Sequence, residues 1–222
     1  MQLTNTAGNY GLIARSLHWL MALLILSMIP LGKWANLAPF TNDAEFARKF
    51  MLFSIHKTLG VTLFGLALLR ILWAIWQPKP GVLHPDRKAE NFTAAVVHWV
   101  LYSALVLVPL IGWIEHAAIP GLAPIWWPFG QSLPFVTASE WMFNTFSALH
   151  RAFGKVLIFA ILLHVAGALK HQLVDKDATL RRMWTGDARL TAAPKPASMV
   201  PLAMAMLVWL VAIGLGVMFG QN

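Results

Sequence analysis

The sequence predicts an all-α transmembrane fold, a four-helix bundle with a fifth membrane helix added after it. Three observations carry that expectation. Of the 222 residues, 58% are hydrophobic and only 12% charged, and the mean hydropathy is +0.63. Soluble domains carry roughly 25% charged residues, so this chain lacks the polar groups to cover a water-facing surface, and it is far too apolar for disorder. Its apolar residues also fall into five runs, each near the roughly 20 residues that cross a bilayer core.

The first run covers about 12–34. It is long, has no small-residue cleavage site and precedes further spans, which argues against a signal peptide. The second covers about 50–76, the third about 93–114 and the fourth about 143–169. The fifth, about 199–219, has no charged residue. Pro30 and Pro109 fall in or near the ends of spans one and three, where they are expected to kink or finish the helices. Segment 77–92 has the Pro, Gly and Asp–Arg content of an ordered interfacial turn. Segment 115–140 is Pro-rich, holds Trp126–Trp127 and lacks Lys and Arg, as expected of a stretch lying among lipid headgroups. The expected division is a membrane domain over 8–175, a polar cytoplasmic loop over 176–198, and the additional helix over 199–222.

The chain carries 17 Lys+Arg against 9 Asp+Glu, a net charge of +8. Topology accounts for most of this excess, so no nucleic-acid partner is implied. With the N-terminus inside, eleven basic residues, Arg189 and Lys195 among them, fall on the inner side and six on the outer. The positive-inside rule therefore favours a cytoplasmic N-terminus and a periplasmic C-terminus. Lys33, Lys49, Lys57 and Arg151 fall on the outer side, where they serve either as anchors and carboxylate partners or as a lure for a small anion.

The absence of Cys removes disulfides, iron–sulfur clusters, thiolate-ligated haem and covalent c-type haem attachment. Histidine is left as the main metal ligand, and there are eight. In a bilayer an imidazole is costly without a partner. Alternating helix directions put His18 near the inner end of span one and His56 near the outer end of span two. His150 lies towards the outer end of span four and His164 towards its inner end. Fourteen residues separate these two, about 21 Å of helix axis and within about 40° of one face. Two depths thus each hold an imidazole pair, His18 with His164 and His56 with His150. Two axial imidazoles are what a b-type haem requires.

Arg15, Lys57, Arg70 and Arg151 lie close to these histidines in sequence and suit haem propionates. Gly60 and Gly154 follow His56 and His150 by one turn, and Gly65 and Gly167 offer further bare backbone. A single membrane histidine is more often an interhelical hydrogen-bond partner than a ligand; the matched set of four reverses that weighting. A metal or proton carrier would call for ligands and carboxylates at one depth, and spans one, two and four have no acid in their middles. His98 competes for the inner haem or donates beside it. His171, two turns after His164, is either a quinone or propionate partner or a solvated helix-end residue. His84 reads as a loop residue and His116 as half of an interfacial polar pair with Glu115. The tryptophans fit an aromatic belt and the methionines core filling.

These stretches, YGLIARSLHWLMALLI, SIHKTLGVTLFGLALLRILW, HWVLYSALVLVPLIGW and LHRAFGKVLIFAILLHVAGALKH, resemble the prokaryotic cytochrome b561 family over roughly 8–175. Cytochrome b subunits of hydrogenases and formate dehydrogenases share related layouts. The resemblance implies a diheme protein of the bacterial inner membrane. His18 and His164 would hold the cytoplasmic-side haem b, and His56 and His150 the periplasmic-side one. It implies exchange of electrons with ubiquinone or ubiquinol and with a second redox partner, and it matches His171 to the quinone end. One type in the family is similar to a superoxide:ubiquinone oxidoreductase, so either an electron carrier or an enzyme of that kind is implied. The alternatives are a membrane-anchor subunit of a hydrogenase- or dehydrogenase-type complex and a haem-free transporter. The fifth helix departs from the four-helix family pattern; its Gly214, Gly216 and Gly220 suit close packing.

Overall fold

A computed structural model describes residues 2–119, 121–186 and 198–219, and all regular structure among them is helical. Expectations resting on Arg189, Lys195 and Gly220 lie outside the described residues. Four long helices, α1 (Leu12–Leu37), α2 (Asp43–Trp76), α3 (Lys88–Ala118) and α4 (Glu140–Lys170), are followed by a π-helical turn at His171–Asp175. A short helix α5 (Thr179–Trp184) and the fifth long helix α6 (Val200–Phe219) complete the order. Five helices are long and apolar enough to cross a membrane. The protein is a multi-pass membrane protein with a four-helix bundle and a fifth membrane helix.

The helices outrun the apolar runs because their polar ends continue the same hydrogen-bond ladder into the headgroup layer. α2 starts seven residues before its apolar run. There Asn42 Oδ1 accepts from Glu45 N–H at 3.0 Å, and Asp43 and Glu45 place negative charge in the first turn. α1 is started by the chain before it: Gln2 and Leu3 carbonyls accept from the N–H groups of Leu12 and Ile13. Gly11 permits this crossing, since a Cβ there would lie 2.3 Å from Leu3 O. Pro30 and Pro109 end neither helix; both stand inside one.

The chain divides into two compact units, each containing part of every long helix. The first comprises Met1–Trp19, Leu68–Ala104 and Lys155–Val211; the second comprises Leu20–Ala67, Leu105–Gly154 and Ala212–Asn222. In the second unit Met21, Leu63 and Ala67 form a buried cluster with Leu24, Ile25, Met28, Leu66 and Leu105 around it. In the same unit Gly216 of α6 meets α4, where its missing Cβ would lie 3.1 Å from Leu149. In the first unit α6 is pinned to α3 by Trp209 Nε1, which donates to Ser103 Oγ at 2.7 Å. Gly214 faces open space. The segment expected as a polar loop after 175 begins with α5, held against the start of α1 in the first unit.

Candidate haem-ligand histidines

In the second unit the rings of His56 on α2 and His150 on α4 stand 6.3 Å apart between centroids, nearly perpendicular at 87°. Two imidazoles on opposite sides of one metal, each bonded at about 2 Å, put their ring centres about 6 Å apart, against about 5 Å in a tetrahedral site. His150 is oriented by α3: its Nδ1–H donates to Val108 O at 3.0 Å. A carbonyl only accepts, so the proton sits on Nδ1 and the Nε2 lone pair is left for a metal. The local sequence makes this possible. Gly112 leaves the surface of α3 bare where the ring lies. A Cβ on Gly112 would meet His150 Cε1 and Nδ1 at 2.9 Å. α1 repeats the device with Gly32, whose Cβ would meet His56 Cε1 at 2.8 Å. His56 Nδ1 is buried without a hydrogen-bond partner. Gly60 and Gly154, one turn beyond each histidine, are half-buried, and Gly154 has nothing within 4 Å of where a Cβ would stand.

The segment 116–131 of this unit is tied down by side chains. Lys57 Nζ lies 3.2 Å from His116 Nδ1 and donates to Leu122 O at 3.0 Å. His116, 3% exposed, reaches Gln131 Oε1 through Nε2 at 3.2 Å. Gln131 in turn donates to Ile125 O. Thr58 and Thr62 accept from Trp126 N–H and Trp127 Nε1–H. His116 therefore clamps a loop and does not pair with Glu115. Arg151 is exposed and donates to Ser147 Oγ at 2.7 Å.

In the first unit His18 on α1 and His164 on α4 have centroids 6.1 Å apart, at 63°. His98 on α3 stands 5.2 Å from His164, nearer than either ring of the His18–His164 pair stands to the other. Arg70 Nη2 donates to His18 Nδ1 at 3.1 Å, and its guanidinium lies 5.7 Å from the Tyr102 ring. Arg15 points elsewhere: its Nη1 donates to Trp184 O at 2.7 Å. Beyond His164 lies a charged cluster. His171 Nδ1 is 2.7 Å from Asp177 and its Nε2 3.0 Å from Glu90, while His84 Nε2 reaches the same Asp177 oxygen at 3.0 Å. The His84 and His171 rings are parallel, 6.4 Å apart. Burial alone would raise the Asp177 carboxyl, but hydrogen bonds from Thr179, His171 and His84 hold it well below the usual carboxylate range. Glu90, His171 and Asp175 offer ligand atoms within 4.8 Å of one another, a candidate metal-binding triad. The Lys170 ammonium already sits 2.7 Å from both of its carboxylates.

The four histidines selected from the sequence thus form two pairs, one in each unit. Sequence reasoning missed Gly32 and Gly112, although a Pro followed within three residues by a Gly, inside both α1 and α3, was a signal. It also missed the acids around His171, because they lie in segments read as loops.

Relatives place this arrangement. The sequence pattern of the prokaryotic cytochrome b561 family matches residues 9–186. The chain belongs to that family. It is 29% identical over 185 residues to "Cytochrome b561 homolog 2" of Escherichia coli strain K12, covering 82% of this chain and 95% of the relative. It is 27% identical over 175 residues to "Probable superoxide oxidase CybB" of Yersinia pestis, covering 78% and 94%. As a cytochrome b561-family member it is a membrane-embedded electron-transfer protein. The matched residues stop at 186, so α6 lies beyond them.

Proposed function

We propose that this protein is a two-haem b-type cytochrome of the bacterial inner membrane, moving electrons between ubiquinone or ubiquinol and a second redox partner. The observation that carries the reading is the pair of imidazole separations, 6.1 Å for His18–His164 and 6.3 Å for His56–His150. Both suit one iron between each pair, and the bare glycine backbones leave the rings room to hold that orientation. Bound between these rings, haem supplies reversible one-electron chemistry at a potential set by its ligands and surroundings. The chain's part is to hold, orient and charge-balance.

His150 keeps its Nδ1 proton on Val108 O and presents Nε2. Ligation by His18 Nε2 puts the remaining ring proton on Nδ1, where an Arg70 N–H can no longer donate. The guanidinium is then free for a propionate. Lys57 and Arg151 fill the corresponding role in the second unit, and Arg15 is the remaining sequence candidate. His171, two turns beyond His164, is the quinone-end residue in this reading; both of its ring nitrogens face carboxylates, Nδ1 on Asp177 and Nε2 on Glu90, so a quinone oxygen would take the place of Glu90 at Nε2. The N-terminus is cytoplasmic, from the distribution of Lys and Arg, and the sequence stretch 8–175 acts as the redox domain, followed by the linker 176–198 and the added helix 199–222.

The similarity to a protein called a probable superoxide oxidase supports superoxide as a donor at the outer face. Exposed Lys33 and Arg151 are cations for it there. The test uses purified protein. A reduced spectrum with b-type bands, two haems per chain, and reduction of ubiquinone when superoxide is supplied are expected. Iron-free protein would overturn the reading. A stoichiometric metalloenzyme that co-purifies, with no quinone reactivity by the isolated chain, would assign it as an anchor subunit instead.

A further inference from the structure

In the first unit two guanidinium groups are buried with no carboxylate among the described residues in direct contact, although Asp177 acts on Arg182 at longer range. Arg15 and Arg182 are each 6% exposed. Among the described residues Arg15 donates to the Trp184 carbonyl alone, and its Nε is buried without a partner. Arg182 donates from Nη1 to Gly81 O at 3.0 Å, while its Nε and Nη2 are buried and unpartnered. Its guanidinium stands 5.5 Å from the Tyr10 ring. Among the described residues neither arginine is ion-paired with a carboxylate within 4 Å. Carbonyls accept hydrogen bonds but do not neutralise charge, and a buried cation without a counter-charge is costly.

Arg15 borders a cavity of about 200 Å³ whose wall includes Gln2, Thr4, Tyr10, Thr185 and Gly186. Among the described residues the wall is rich in hydroxyl and amide groups, with no acid in it. Gly186, at φ +76°, lets the guanidinium in; a Cβ there would meet Arg15 Cζ at 2.9 Å. The start of α1 lies beside the cavity and adds the positive end of a 26-residue helix. Trp19 and Trp184 meet edge to face at 4.9 Å on its flank, and Trp19 Nε1 donates to Met183 O at 3.0 Å. Paired tryptophans beside a helix end are the side chains found at headgroup depth.

We propose that this cavity binds a phosphate group, with the Arg15 guanidinium as its main contact and Arg182 reinforcing the positive field behind Tyr10. A phosphate is acceptor-only, multiply charged and small enough for the space, and guanidinium is its best-matched protein partner. The group is supplied either by an anionic phospholipid headgroup or by free phosphate. No haem-ligand histidine lines the site, and it assigns Arg15 to a phosphate in place of a haem carboxylate.

The experiment uses the intact purified protein as it comes from the membrane. Native mass spectrometry measures retention of phosphatidylglycerol against phosphatidylcholine from nanodiscs of equal parts of the two. Line broadening of inorganic phosphate in ³¹P spectra measures the free anion. At least one of the two is expected to bind, and R15Q is expected to weaken it about tenfold or more, as loss of a charge-assisted contact does. T4V, which removes one wall hydroxyl, should weaken it less, and R182Q by an intermediate factor. Selective phosphatidylglycerol retention identifies the lipid source; phosphate broadening without it identifies the free anion. If the wild type binds neither, the proposal is overturned. It is also overturned if R15Q shifts a haem potential while phosphate and lipid binding stay at wild-type levels, because Arg15 then serves a haem carboxylate. Should R15Q fail to fold, T4V and R182Q decide by the same measurements, and unchanged binding in both overturns the site.

Discussion

Replacing Gly112 by Ala tests the seat of His150 with a single methyl group. The new Cβ would stand 2.9 Å from both Cε1 and Nδ1 of His150. Carbon contacts are comfortable at about 3.5–4.0 Å, so ring and helix must separate by about 0.5–1 Å. The hydrogen bond from Nδ1 to Val108 O, 3.0 Å long, cannot survive that shift with good geometry. Losing it removes about 0.5–1.5 kcal/mol of orientation, and overpacking adds typically about 1–3 kcal/mol of strain. Outer contacts of this kind typically tune metal affinity about 10–100-fold. G112A is therefore expected to lower the occupancy of one haem, or to shift its potential, and to leave the other unchanged. Redox titration of the purified protein, followed by its visible bands, reads both. Gly65→Ala is the control: Gly65 is exposed, with nothing within 4 Å of the new Cβ. G112A with two full haems at wild-type potentials would refute the claim that Gly112 seats His150.

Three further outcomes follow from neighbouring contacts. Arg70→Gln removes a cation beside His18. A unit charge about 10 Å away at an effective dielectric of about 20 is worth on the order of 1–2 kcal/mol. The haem held by His18 should drop in potential by tens of millivolts, and no change on titration would exclude Arg70 from its surroundings. Trp209→Phe deletes the hydrogen bond that pins α6 to Ser103. Interhelical bonds in membranes are worth about 0.6 kcal/mol on average and up to about 1.7, so a small loss of unfolding free energy with unaltered haem content is expected, and haem loss would contradict the peripheral role of α6. Asp177 has its pKa lowered by folding, so the folded state binds fewer protons there and gains stability as pH rises. That contribution is complete above the unfolded value near about 3.9 and fades as pH falls below it. Protection factors at α5, hydrogen-exchange rates taken relative to the intrinsic rate at each pH, should fall on acidification, while Asp177→Asn should start low and respond less; equal pH responses would sink the assignment.

The membrane fold was legible because it rests on additive properties. Apolar runs report burial in lipid directly, and all five became helices. The histidine pairs were legible for a related reason: a helix of fixed pitch turns sequence spacing into depth and direction, which brought His18 to His164 and His56 to His150. What spacing could not reveal is where neighbouring backbones approach. Gly32 and Gly112 act through the ring of another helix, whereas Gly60 and Gly154, singled out from spacing, meet little or nothing. Arg15 and Lys57 sit beside histidines in sequence, yet their long side chains reach to Trp184 and His116. His171 looked like a helix-end residue because Glu90, Asp175 and Asp177 come from segments separated from it by a loop or a break in helical pitch.

The central claim is that His18 pairs with His164 and His56 with His150 on two separate haems. Haem quantification on the wild type and on H18A, H56A, H150A and H164A tests it most directly. Two haems per chain are predicted in the wild type. H18A and H164A should each lose the same spectral component, and H56A and H150A the other. H164A protein that retains both haems, or H18A and H164A depleting different components, would contradict the pairing.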